Sequence, residues 1–126
     1  MPGSSTEDAK EISGLNEVRL MGRVSAPSQL RVMPSGDELV SFRLIVDRGP
    51  APRSVAGRQH PTVDVIDIAC WSARTRRTAL HLQAGNVVTV QGALRRRFWK
   101  AGAAAASRCE VEASLVAKRR VARQVG

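Results

Sequence analysis

A chain of 126 residues can bury one core without metal or disulfide staples, and its 20 Lys and Arg against 11 Asp and Glu give a net charge of +9. Aromatic residues make up only 3% and tyrosine is absent, so the apolar bulk is Val, Leu, Ile and Ala, which suits β structure. The excess charge speaks of partners, either nucleic-acid phosphates or an anionic membrane surface, with plain solubility as the alternative.

The first fourteen residues, MPGSSTEDAKEISG, carry three acids against one lysine among Ser, Gly and Pro. They read as a flexible arm (1–14) without a signal-peptide pattern. Next, LNEVRLMGRVS alternates, with Val18, Leu20, Gly22 and Val24 on one face and Arg19, Met21 and Arg23 on the other, the mark of a half-buried strand. Two further β segments flank the turn signal Pro34-Ser35-Gly36-Asp37. In the second, Val40, Phe42, Leu44 and Val46 share a face, which assigns Phe42 to the core. Residues 48–61, rich in Pro, Gly and Arg, have no periodicity and are expected to form a long basic loop. TVDVIDIACW is another strand, with Ile66, Ile68 and Cys70 opposite Val65, Asp67, Ala69 and Trp71.

The pattern then breaks. Ser72 can cap and Gly85 can terminate a short helix, with Ala73, Arg76, Ala79, Leu80 and Gln83 near helical spacing. NVVTVQGALRRRFW returns to β with a bulge or bend expected at Gly92. KAGAAAAS reads as a small-residue loop, and RCEVEASLVAKRR as the last strand before a basic tail (118–126). Over 15–117 the order is strand, strand, strand, helix, strand, strand. It predicts an all-β fold, a five-stranded Greek-key OB-fold barrel with one short helix between strands three and four. An all-β barrel of another topology fits the same order.

The densest chemistry is ALRRRFWK, which sets two of the four aromatics beside three arginines. Parity places Arg95, Arg97 and Trp99 on one strand face and Arg96 and Phe98 on the other. An exposed indole flanked by guanidiniums is a base-stacking platform in an electrostatic groove, tolerant of sequence because every base has a π face. In the alternative, Trp99 plugs the end of the barrel and the arginines are solvated. Trp71 favours the platform, because it shares its face with Asp67 and lies opposite the apolar set.

With these residues in view, the chain resembles the bacterial single-stranded-DNA-binding (SSB) family from Asn16 to about Val116. NEVRLMGRV is similar to the family's opening strand, LRVMPSGDELVSFRLIV to its second segment and DVIDIACWSA to its third strand. The most specific likeness is LQAGNVVTVQGALRRRFW, the helix end and fourth strand. The resemblance implies an OB fold, a homotetramer (a dimer is possible) and sequence-independent wrapping of single-stranded DNA in replication, repair or recombination. Its stacking aromatics map onto Trp71 and Trp99, and its basic pair onto Arg95 and Arg97. Phe98, Lys100 and Arg43 are further candidate DNA contacts, as are Arg48, Arg53, Arg58 and Arg74. The family often carries aromatics where this chain has Val65 and Pro50, and usually ends in a long acidic-tipped tail. This sequence ends in KRRVARQVG, so no partner recruitment by an acidic tail is expected.

Catalysis finds no support. His60 and His81 lack a paired acid or cysteine at ligand spacing, and Asp64 and Asp67, three apart on a strand, point to opposite faces. No enzyme activity, metal or cofactor is expected. Cys70 and Cys109 match no metal spacing and are expected to be reduced and buried. No apolar run reaches membrane-span length, so no membrane partner is expected and the location should be cytoplasmic, on the nucleoid. The competing reading is a primosomal-type OB-fold dimer acting in replication restart. An RNA-binding cold-shock-type domain would want clustered aromatics.

Overall fold

The computed structural model describes residues 13–50 and 62–120. Its elements in chain order are β1 (Val18–Val24), β2 (Gln29–Val32), β3 (Glu38–Asp47), β4 (Val63–Cys70), α1 (Ala73–Leu80), β5 (Val87–Ala101) and β6 (Ala104–Lys118). β1 keeps the predicted alternation, with Arg19, Met21 and Arg23 exposed and Val24 buried. β3 likewise turns Val40, Phe42 and Leu44 inward.

The strands close on themselves. β1 pairs antiparallel with β5, β5 with β6, and β4 with β3, while β6 meets β4 in parallel at Ile68↔Val111. β3 returns to β1 through Arg23↔Ile45 and Val24↔Leu44. Five strands therefore make the barrel, with β2 as a short edge on β3 and α1 between the third and fourth barrel strands, as the sequence predicts. Closure depends on Gly22, since a Cβ there would collide with the Ile45 carbonyl oxygen. Within the barrel, Val24, Leu44, Ile68, Val88, Val90 and Val111 form the core with Phe42.

Ser72 caps α1 by accepting from the Thr75 amide at 3.2 Å. The helix ends at Leu80, well short of Gly85, and its buried residues are Thr75 and Ala79; of the expected stripe only Ala79 is buried. The amides of His81 and Leu82 bond back three residues, to Thr78 and Ala79. This tighter winding drops Leu82 into the core and stops the helix.

Three further expectations change. The irregularity predicted at Gly92 is found between Gln91 and Gly92, but its extra residue is on the opposite strand: the β5–β6 register passes from Gln91↔Leu115 to Gly92↔Ala113, so Ser114 is the unpaired one. Glycine is needed at 92 because a Cβ would strike the Glu112 carbonyl oxygen. Second, KAGAAAAS is not a loop. β5 and β6 run on past the barrel as a paired arm up to Ala101↔Ala104, turning through Gly102 at φ 66°. A glycine at positive φ makes a two-residue hairpin turn, and a backbone ladder needs no large side chains. Third, Cys109 is exposed because it lies on this arm, opposite Arg96. Cys70 is buried, and burial pushes its thiol pKa up from 9.0 to about 11, partly offset by a hydrogen bond with Thr75. The root of the arm is clamped by Asn16, whose amide donates to the Leu94 carbonyl at 2.7 Å and accepts from the Leu94 amide at 2.8 Å.

Candidate nucleic-acid interface

Residues of β3, β4 and β6 line one concave surface, linked to the arm through the Arg97–Glu110 ion pair. Ser41 and Arg43 on β3, Asp67 and Ala69 on β4, and Arg108 and Glu110 on β6 line a cleft of about 320 Å³. Its far wall is Ser25, Ala26, Pro27, Gln29 and Arg31. Parity on the arm puts Arg95, Arg97 and Trp99 across from Glu110, Arg108 and Ala106, as the alternation along β5 predicts.

The two tryptophans differ. Trp99 is 46% exposed on the arm. Trp71, just past the end of β4, is half-buried and its Nε1 is buried without a protein hydrogen-bond partner. Arg76 donates to the Trp71 carbonyl and holds the backbone there. The Arg97 guanidinium lies over the Trp71 ring at 4.6 Å from its centroid. That guanidinium is itself fixed, because its Nε donates to Glu110 Oε2 at 2.6 Å. Glu110 was not singled out from the sequence, nor was Arg108. Only the strand register, which brings RCEVE back along LRRRF, reveals them.

Among the described residues, four of the six expected cationic contacts, Arg43, Arg48, Arg95 and Arg97, carry carboxylate partners. Arg43 reaches Asp67 at 3.3 Å, Arg48 reaches Asp64 at 2.8 Å and Arg95 approaches Glu112 at 3.9 Å. The Asp64 hydrogen bond, with that carboxylate's charge, raises the Arg48 pKa further. Lys100 is exposed near the arm tip, and Phe98 is 71% exposed on the arm face opposite Trp99. Arg74 is exposed on α1 and does not line the cleft. Arg53, Arg58 and His60 lie outside the described residues, while Val65, where an aromatic was noted as missing, is 59% exposed. Among the described residues no group of three His, Cys, Asp or Glu could hold a metal ion, and no helix is long and apolar enough to cross a membrane.

An OB barrel binds its ligands on the sheet face and flanking loops, and here that face is a cleft lined by Arg31, Arg43 and Arg108, with Glu110 of its lining bonded to the Arg97 that covers Trp71. Residues 15–119 match the Single-strand binding protein family, and the chain belongs to that family. It is 29% identical over 89 residues to a single-stranded DNA-binding protein of Thermotoga maritima, a match covering 71% of this chain and 62% of the relative's own length. Its fold is similar to that of Plasmodium falciparum SSB, solved in complex with single-stranded DNA, with a TM-score of 0.72 and 21% identity over 86% of this chain and 97% of the other.

Proposed function

We propose that this protein binds single-stranded DNA without regard to base sequence, across the cleft and along the Trp99 face of the arm. The observation that carries the reading is the open indole of Trp99 on the same arm face as Arg95 and Arg97, beside a cleft bordered by arginines. Bases stack on such surfaces while cations take the phosphates. Family membership supports the ligand, and with it a homotetramer serving replication, repair or recombination in the cytoplasm. Binding rather than turnover is its activity, with no cofactor. Titrating oligodeoxythymidylate, the matching RNA and a duplex, each with the solution mass of the complex, tests the reading. Preferential binding of the DNA single strand by a four-subunit species is expected. Equal affinity for the duplex would overturn it, and a dimer would return the primosomal alternative.

A further inference from the structure

We propose that one base stacks on the Arg97 guanidinium itself, with Trp71 as the support beneath and Glu110 as the group that fixes its plane. This role rests on the single-stranded DNA reading above.

Three observations carry it. Arg97 covers the Trp71 ring at 4.6 Å, and that indole is half-buried with its N–H enclosed, so one face of Trp71 is already taken by a guanidinium, whereas no such cation covers Trp99 among the described residues. Next, Arg97 is tied down: its Nε donates at 2.6 Å to Glu110, whose side chain is 5% exposed. Swinging Arg97 out to a phosphate would strand a carboxylate in a nearly dry site, which is the costlier state for a buried ion pair. Last, the Arg97 side chain remains 38% exposed. With its Nε bonded to Glu110 and its guanidinium carbon over Trp71, a base would lie on the side of the guanidinium plane away from the ring. Such planes stack on nucleobases as aromatic rings do.

Lysine keeps the charge but has no plane, so Arg97→Lys separates the two roles a cation can play here. The expected result is about a 10-fold loss of affinity for oligodeoxythymidylate, the size of one lost stack, with an unchanged salt slope. Glu110→Gln loosens the anchor and is expected to weaken binding, again without a change of slope. If Arg97→Lys binds as tightly as the parent, Arg97 is a point charge on phosphate and the proposal fails. It also fails if Glu110→Gln binds more tightly with a slope steeper by about 0.7, since the acid would then be holding a phosphate contact back. Circular dichroism verifies folding, and Arg97→Lys still supplies Glu110 with a cation should Glu110→Gln not fold. Without DNA, in a Trp99→Phe background, the emission of Trp71 should change on Arg97→Lys; unchanged emission would rule out the contact. A parent protein that fails to bind the oligonucleotide overturns the single-stranded DNA reading and this role together. Binding that survives Arg97→Lys overturns this role alone.

Discussion

Trp99 and Trp71 look equivalent by strand parity, yet their surroundings give them different work. Trp99, nearly half exposed and beyond the barrel, contributes little to the core. We predict that Trp99→Ala loses about 1–3 kcal/mol of DNA affinity while its thermal unfolding midpoint stays within a few degrees of the parent. Trp71→Ala removes a half-buried ring from under Arg97 and should lower both affinity and stability. Paired titrations and melts distinguish the two patterns. Parity was legible for Arg95, Arg97 and Trp99 because side chains alternate in any strand, whatever its partner. The Glu110–Arg97 bond was not, since it depends on which residue of β6 lies opposite. The cysteines separate in the same way. Cys109, on the arm, should react with a thiol reagent in the native state, and Cys70 only after unfolding. Because the folded Cys70 pKa is raised, the neutral thiol's contribution is complete below 9.0 and fades as pH climbs towards about 11. Stability of Cys70→Ala relative to the parent, followed across that interval, checks the sign: the gap should narrow as pH rises.

At the level of elements, the barrel strands were legible and the arm was not. Val, Ile and Leu at every second position announce a strand with one buried face, and Ser72 announces the helix after it. Beyond the barrel no apolar face is buried, so the hydrophobic alternation that marks strands stops at Leu94 although the ladder continues to Ala101↔Ala104. Alanine and glycine conceal a hairpin whose order comes from backbone pairing, the Gly102 turn and the Asn16 clamp. The turn gives the test. Gly102 sits at φ 66°, where a Cβ costs about 1–2 kcal/mol, although nothing lies near enough to clash with it. Gly102→Val should therefore loosen the arm alone: amide exchange speeds up along 94–110 while the barrel amides of Val88, Val90 and Leu44 keep their protection. Affinity should fall with it, because Arg97 and Trp99 both ride on this arm. Protection lost equally in arm and barrel would show the two to be one cooperative unit.

Over the whole molecule, the count of positive residues overstates the charge available to a ligand. Arg23, Arg43, Arg48, Arg95, Arg97 and Arg108 each have a carboxylate within 4.0 Å, so the face that looks most basic in sequence is largely neutralised. A paired arginine that meets a phosphate exchanges one anion for another and releases few counterions. Of the described cations without such a partner, Arg31 lines the cleft, while Arg19 on β1 and Arg74, Arg76 and Arg77 on α1 do not. Arg96 and Lys100 are on the arm, and Lys118, Arg119 and Arg120 gather at the far end of β6, around an open cleft bounded by Gly85, Asn86 and Val87. The Arg119 amide bonds the Val87 carbonyl at 2.7 Å, which fixes the backbone there and leaves the three side chains to solvent. A strand that crosses the cleft and continues along β6 would reach these cations next. We predict that changing Lys118, Arg119 and Arg120 together to Gln weakens single-stranded DNA binding at low salt. The log–log salt slope should become shallower by about 2, near 0.7 for each contact. Arg43→Gln and Arg48→Gln, by contrast, should leave the slope almost unchanged. Slopes measured from 50 to 300 mM salt for the parent and these variants decide the matter: if the triple change leaves the slope untouched while Arg43→Gln flattens it, the strand is held by the cleft arginines despite their carboxylates and does not extend to the end of β6.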